Sequence, residues 1–139
     1  MPLLYGRNPR AGPDQAVDLA REITRRPGLR LDGVFTHLAV ADEPADPFST
    51  LQLDRFDAVL AELAAAGIDP GRVHAANSAG GLAHSRARHR LVRTGIALYG
   101  IAPGRGVEHL CHELRPALTL RARVSHVKPV AAGARISYG

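Results

Sequence analysis

The sequence has only one cysteine, one lysine and no long apolar run. These shortages exclude an internal disulfide and a membrane span and limit the residues that could bind a cofactor covalently. A single thiol, Cys111, cannot form an internal disulfide. No stretch reaches the about 18 apolar residues of a membrane span, and the apolar N-terminal stretch is too short for a secretory signal. We therefore expect a cytoplasmic protein without a membrane segment. The chain has 139 residues, whereas a complete (β/α)₈ barrel needs roughly 200 or more.

Aromatic residues are also few, at 4%, although the formal net charge is +5. Such a charge raises the possibility of a nucleic-acid partner. The basic residues are almost all arginines, however, and they are spread along the whole chain without a dense cluster. We expect no nucleic-acid partner, and salt-sensitive retention on DNA would test that alternative. The histidines and the cysteine have no recognised metal-ligand spacing, so we also predict no metal site.

Apolar periodicity predicts alternating strands and helices over the first hundred residues. Ser49 and Gln52 are spaced as a capping box, in which each side chain satisfies a free backbone N–H at the start of the second helix. Alternation of this kind is typical of βαβ units and a parallel sheet. The predicted helices cover 13–26 and 49–66, with a helical turn over 77–83, and the predicted strands cover 29–37, 72–76 and 91–94.

The pattern changes after Pro103, where a loop extends to about Arg115. From Leu118 to Val130 the apolar residues alternate, which predicts a long antiparallel strand. Residues 131–133 are predicted to form a turn, and a partner strand should begin at 134. We therefore expect an α/β domain over 1–113 and the beginning of a β-rich domain over 114–139.

Polar clusters at 36–43, 74–78 and 92–100 each follow a predicted strand. Asn77 and Ser78 offer an amide, a hydroxyl and free backbone N–H groups to an anion, although Ser78 could equally be an ordinary N-cap. Gly95 would let a phosphate approach the backbone. Arg93 needs a partner because an unpaired buried charge is unfavourable, and a structural salt bridge is the alternative. His37 is either functional or a satisfied core histidine.

Tyr138, in the motif Ser-Tyr-Gly at the end of the sequence, is a candidate general base. A phenol can act as a general base only if a nearby cation or strong donor lowers its pKa from about 10. The residues alone give no reason to prefer Tyr138 to Tyr5 or Tyr99.

Taken together, three motifs resemble alanine racemases in order and approximate spacing. They are His74-Ala-Ala-Asn-Ser78, Val92-Arg-Thr-Gly-Ile-Ala-Leu-Tyr-Gly100, and Val127-Lys128 followed by Gly133 and Ser137-Tyr-Gly139. The resemblance covers residues 13–139. It implies the C-terminal half of a (β/α)₈ TIM-type barrel, followed by the first strands of a β-rich C-terminal domain.

The resemblance also implies a cofactor, pyridoxal 5′-phosphate, and an amino-acid substrate. Asn77, Ser78 and the backbone of Gly95 and Ile96 would hold the cofactor phosphate. Arg93 would donate to the pyridine nitrogen, which must then stay unprotonated because arginine can only donate.

The remaining implied roles concern proton transfer. His37 would connect Arg93 to Tyr138, and Tyr138 would be one of the two bases that exchange the α-proton of alanine. Contact with that cationic chain is a physical reason for a lowered tyrosine pKa. Members of the family are homodimers, so Tyr138 would act on the neighbouring subunit's site.

One departure from the family concerns lysine. The resemblance implies a cofactor-binding lysine near the start of the barrel, but the only lysine here is Lys128, at a position without a catalytic role. A half barrel would also leave sheet edges unpaired. We therefore expect the chain to be a catalytically inactive fragment of a racemase. The alternative is a truncated relative that binds the cofactor or dimerises without catalysis.

Overall fold

The structure, a computed structural model, describes residues 13–136 and shows alternating helices and strands. The α-helices are α1 (Pro13–Arg25), α2 (Phe48–Ala65) and α3 (Ser78–Ala83), and the strands are β1 (Gly33–Phe35) and β2 (Arg72–His74). Three 3₁₀ turns follow, at Ser85–Arg88, Ile96–Tyr99 and Arg105–Leu110. The α/β class predicted from the sequence is confirmed.

Strands β1 and β2 form a parallel pair in which Val34 lies opposite Val73 and Phe35 lies opposite His74. Helix α2 connects them, so β1, α2 and β2 form one βαβ unit. Backbone bonds from Arg72 to the Asp32 carbonyl and from Thr36 to the His74 carbonyl extend the pairing at its two ends. The carboxyl ends of both strands therefore meet at one edge of the sheet.

The hydrophobic core lies between one sheet face and helices α1 and α2. Val34 of β1 is buried in this core together with four apolar side chains of α2. These are Leu53, Phe56, Val59 and Leu63. Phe35 and His74 lie in alternate positions of the strands and face the other side, where they are only partly buried.

Helix α2 begins differently from the prediction, because Ser49 is not its N-cap. Pro47 occupies that position and makes no side-chain cap bond, and the N–H of Phe48 donates instead to Asp46 Oδ1 at 2.8 Å. Ser49 is fully buried inside the first turn, and its Oγ has no hydrogen-bond partner among the described residues. Gln52 is also not part of a capping box, since its side chain bonds the backbone of His37 and Ala39 instead.

The predicted strands were wrong in extent. Only Gly33–Phe35 and Arg72–His74 are strands within the two longer predicted segments, and residues 91–94 form no strand. A strand needs repeated pairing, whereas 91–94 is attached to the end of β2 by the bond from Arg93 N to the Ala76 carbonyl.

The strand predicted over 118–130 was also wrong. That segment has no regular structure, its residues are exposed, and no partner strand lies beside it among residues 13–136. The following turn is confirmed by a 3.1 Å bond from Ala134 N to the Ala131 carbonyl. Gly133 has a φ of 83°, which favours glycine. Of the predicted partner strand, 134–136 is irregular and 137–139 lies outside the described residues.

Candidate active site

The guanidinium of Arg93 is held at the carboxyl ends of both strands. Its Nη2 donates to the carbonyl of Thr36 at 2.9 Å and to the carbonyl of Ala75 at 3.1 Å. Thr36 and Ala75 are the residues that directly follow β1 and β2. Within residues 13–136 no carboxylate forms an ion pair with Arg93, so the alternative of a structural salt bridge is wrong there.

The imidazole of His74 is the second contact of this guanidinium. Its Nδ1 meets Nη1 of Arg93, and its ring stacks on Phe35 with centroids 4.9 Å apart and planes 5° from parallel. The Arg93 guanidinium also lies 5.3 Å from the centre of the Phe35 ring, within range of a cation–π attraction. Sequence reasoning assigned His74 no role, although its alternation with Val73 and its place at a strand end were visible.

The electrostatics of this cluster favour a neutral histidine. Burial lowers the pKa of His74, and the nearby charges of Arg93, Arg72 and His89 lower it further. Burial also lowers the pKa of Arg93, but a guanidinium remains protonated at physiological pH. Since arginine can only donate, the Nδ1 of His74 must accept, and the imidazole proton lies on Nε2.

His37 lies beside Arg93, as the sequence analysis predicted. Its Nδ1 is 3.4 Å from Nη2, farther than the two carbonyl oxygens that the same nitrogen contacts. Gln52 fixes the segment, because its Nε2 donates to the His37 carbonyl at 3.1 Å and its Oε1 accepts from Ala39 N at 2.8 Å. The His37 side chain is exposed, so the alternative of a core histidine is wrong.

Ser78 and Gly95 meet at the same edge of the sheet. The Ser78 Oγ accepts from the backbone of Gly95 at 2.9 Å and, more weakly, from that of Ala97 at 3.4 Å. Ser78 does not cap α3, because Asn77 is the N-cap and accepts from Gly80 N at 2.8 Å. The alternative of Ser78 as an ordinary N-cap is therefore wrong.

The space above Gly95 is open toward Ser78. A Cβ built on Gly95 would meet one atom within 4 Å, the Ser78 Oγ at 3.9 Å. A rounded anion can therefore approach the backbone at Gly95 and Ile96 while touching the hydroxyl. Ile96 begins a 3₁₀ turn, and its N–H is of the kind that a first turn leaves without an internal acceptor. The N–H groups of Gly95 and Ala97 bond the Ser78 hydroxyl instead. These residues fit the phosphate group that the sequence motifs imply.

A pocket of about 640 Å³ borders the Arg93 cluster on the sheet face that carries Phe35 and His74. Leu31 and Leu91 contribute apolar walls, and Arg72 contributes charge.

Among residues 13–136 no three histidine, cysteine or acidic side chains are grouped as metal ligands. None of the helices within that range is long and apolar enough to cross a membrane. Tyr138, the predicted base, lies outside the described residues.

Fold and site together define an α/β protein with a polar site at the carboxyl ends of parallel strands. A family model described as "Alanine racemase, N-terminal domain" matches residues 7–103. The chain belongs to this family.

Two relatives show how much of such a protein the chain represents. It is 50% identical over 127 residues to alanine racemase of Symbiobacterium thermophilum and 46% identical over 125 residues to that of Carboxydothermus hydrogenoformans. These matches cover 91% and 90% of the chain, but only 33% and 34% of the relatives. The chain thus spans about one third of the length of the curated relatives it matches.

Solved structures agree with these relatives. Alanine racemase from Bacillus anthracis with bound L-Ala-P gives a TM-score of 0.79 at 36% identity and covers 96% of the chain and 35% of that structure. Alanine racemase of Clostridium difficile 630 in complex with cycloserine gives a TM-score of 0.78 at 34% identity, covering 91% and 34%.

Proposed function

We propose that this chain supplies part of the pyridoxal 5′-phosphate site of an alanine racemase, which interconverts L- and D-alanine for peptidoglycan synthesis. The observation that carries the proposal is the placement of Arg93 by the carbonyls of Thr36 and Ala75, on the segment that also brings Gly95 to Ser78. A cation and an anion cradle that lie two residues apart on one segment, at Arg93 and Gly95, suit the two ends of the cofactor.

The proposal includes the finer architecture and assembly. Residues 1–113 would be the C-terminal half of a (β/α)₈ barrel, and 114–139 would begin the β-rich domain. The parallel βαβ unit supports the first part, because such units build these barrels. The whole enzyme would be a cytoplasmic homodimer with an amino-acid substrate.

The phosphate would lie against Ser78, Gly95 and Ile96. Because the Ser78 Oγ accepts from Gly95 N, its own hydrogen is free to be donated to a phosphate oxygen, while the N–H of Ile96 would point to the same anion. Asn77 would act chiefly by fixing the start of α3, because its side chain already bonds Gly80 N and the Leu38 carbonyl. Backbone donors give such a cradle a fixed geometry.

Arg93 would donate to the pyridine nitrogen and keep it unprotonated. The cofactor, when bound, supplies an electron sink that makes the α-proton of the amino acid removable. A nitrogen that only accepts a hydrogen bond is a weaker sink than a protonated one, which would restrain side reactions. Arg93 keeps its full charge for this task, because carbonyls rather than carboxylates hold it.

Tyr138 from a second copy of the chain would be one proton-transferring base. His37 supports this role by its position, because its Nδ1 lies 3.4 Å from the cationic Nη2 of Arg93. The cation favours the neutral tautomer with its proton on Nε2, and that proton can be donated to a phenolate. A donor and a cation near a phenol favour its ionised form.

A second candidate function is cofactor binding without catalysis. The observation that favours it is the position of Lys128, the only lysine, on the exposed irregular segment after residue 117. We therefore expect the 139-residue chain to bind the cofactor non-covalently and to show no racemisation. A measurable racemisation rate of the purified chain would contradict this expectation.

A chimera tests the racemase function. The 127-residue matching segment of the Symbiobacterium thermophilum alanine racemase would be replaced by the corresponding residues of this chain. We expect the chimera to racemise alanine and to support a D-alanine auxotroph. Arg93→Lys should reduce kcat at least about tenfold, because one ammonium cannot reproduce the fork that spans Thr36, Ala75 and the cofactor.

The matched control is Arg105→Lys, since Arg105 is exposed on the third 3₁₀ turn, and it should leave kcat unchanged. A folded chimera that binds pyridoxal 5′-phosphate but does not racemise alanine would contradict the proposed activity. Equal kcat values for the two arginine variants would contradict the role of Arg93.

A further inference from the structure

The imidazole of His74 lies between the Phe35 ring and the guanidinium of Arg93, and the proposed function gives it no task. We propose that His74 is a positioning residue, which orients the guanidinium of Arg93 toward the cofactor by accepting one of its N–H groups at Nδ1. This inference rests on the proposed function, in which Arg93 faces the pyridine ring.

The bond to His74 is the third hydrogen bond of the Arg93 guanidinium and the first made by Nη1. A guanidinium has five N–H groups. The two hydrogens of Nη2 serve the carbonyls of Thr36 and Ala75, which are nearer to it than His37 Nδ1 at 3.4 Å. One hydrogen of Nη1 is directed to His74. Within residues 13–136, the second hydrogen of Nη1 and the hydrogen of Nε remain for a ligand.

The carbonyl bonds alone orient the guanidinium only loosely. Both are made by the same nitrogen, and because a hydrogen bond tolerates bending of about 30°, the far side of the group can still swing about Nη2. The bond from Nη1 to His74 adds a second fixed point. With two of its nitrogens held, the plane that carries the remaining donors has one orientation.

The imidazole itself is held in the orientation this contact needs. It stacks nearly parallel on Phe35, at an angle of 5°, which limits its rotation. Phe35 in turn lies opposite His74 in the register of the two strands, so backbone pairing sets the distance between the rings. The guanidinium also contacts Phe35, and the three groups form one cluster.

Charged neighbours keep the acceptor available. Arg93 contacts the ring at Nδ1, and the charges of Arg72 and His89 also act on it and lower its pKa. Each disfavours a second proton on His74, while no carboxylate pairs with the ring among the described residues. A protonated imidazole would lose its acceptor and repel Arg93, so the orientation of Arg93 should fail in acid.

Two variants separate the acceptor from the ring. His74→Asn places an amide oxygen close to the position of Nδ1 and keeps an acceptor without stacking. His74→Phe keeps the stacking on Phe35 and removes the acceptor. His109→Phe is the matched control, because His109 is exposed on the third 3₁₀ turn.

Nitrogen-15 NMR of the 139-residue chain is the first measurement. We expect His74 to carry its proton on Nε2, and the Arg93 guanidinium signals to be resolved from those of free arginine. Proton exchange at Arg93 should be at least several-fold faster in His74→Phe, as expected for loss of one charge-assisted bond. His74→Asn and His109→Phe should resemble the unsubstituted chain.

Three NMR outcomes would overturn the inference: a proton on Nδ1 of His74, Arg93 signals identical to free arginine in the unsubstituted chain, or equal Arg93 exchange in His74→Phe and His109→Phe. Titration with pyridoxal 5′-phosphate, followed by absorbance, then separates this inference from the proposed function. Weaker binding by His74→Phe than by His74→Asn supports it, and equal binding contradicts it. No binding by any variant, with the NMR result intact, contradicts the cofactor site instead.

Discussion

At the scale of single residues, the site is built mainly from side chains that bond to backbone. Arg93 takes strand-end carbonyls as acceptors, and Ser78 takes the N–H of Gly95. Carbonyl partners orient a cation and leave its charge in place, whereas a carboxylate partner would neutralise that charge. A cationic group near the sheet edge therefore stays available to a ligand, while the backbone determines where it points.

The Ser78 hydroxyl also stabilises the fold. Ser78→Ala would leave the N–H of Gly95 without its acceptor, so we expect the free energy of unfolding to fall by about 1–2 kcal/mol. Urea denaturation measures the change. Ser85→Ala is the control, since Ser85 is exposed, and its effect should stay within about 0.5 kcal/mol. Equal effects of the two variants would show that the Ser78 bonds add nothing to stability.

Acid should destabilise the fold through His74. Its pKa is lowered from the ordinary value of 6.5 by burial and by Arg93, Arg72 and His89. Below pH 6.5 His74 binds a proton in the unfolded chain but stays neutral in the folded chain until the pH reaches its lowered pKa. Stability from this group is therefore complete above pH 6.5 and is lost as the pH falls toward the lowered pKa.

Urea denaturation between pH 5 and 7.5 tests this dependence. His74→Asn should flatten the decline below pH 6.5, because the titrating group is gone, whereas His109→Asn should keep it. A decline of the same steepness in His74→Asn would assign the acid sensitivity to other groups.

At the scale of elements, local patterns predicted the helices far better than the strands. Predicted and observed ends of α1 and α2 differ by one residue at most, because apolar spacing along one face is a local signal. Strand length depends on a partner elsewhere in the chain. The apolar residues at 91–94 and 118–130 therefore resembled strands, although neither segment forms a strand ladder with another described segment.

The candidate site was predictable for a related reason. Polar clusters after strands indicated its place, and the motifs indicated Arg93, His37, Ser78 and Gly95, which the structure brings together. His74 was missed because its role arises from the register of β1 and β2, which sets it opposite Phe35. Register is a property of a pair of strands, and neither segment encodes it alone.

Helix starts offer the sharpest test at this scale. Asn77→Ala removes the cap of α3 and should lower the free energy of unfolding by about 1 kcal/mol. Ser49→Ala should change it by less than about 0.5 kcal/mol or increase it, because the buried Ser49 Oγ bonds no described group. Urea denaturation of both variants distinguishes the structure from a capping box, for which Ser49→Ala would be the more damaging change.

At the scale of the whole molecule, the core and the segment after residue 117 contrast. Helices α1 and α2 bury one face of the sheet, whereas 118–136 carries large apolar side chains in solvent. Leu120 is 95% exposed and Val127 is 83% exposed. Alternating apolar residues without a partner strand expose apolar side chains and also leave backbone N–H and C=O groups unpaired. Both features favour association with another chain, so this segment is the part of the described chain that most needs a partner.

We therefore expect the 139-residue chain to self-associate through residues 118–130. Replacing Leu120 and Val124 together by threonine removes apolar surface and places β-branched side chains, which suit an extended backbone, at both positions. Sedimentation should then show less association, and binding of a hydrophobic dye should fall. Thr119→Val makes the opposite change on the neighbouring exposed position and should increase both signals. If the unsubstituted chain stays monomeric and binds no dye, the exposed segment is not a site of association. The alternating apolar residues would then matter only for packing within the complete β-rich domain that residues 114–139 would begin.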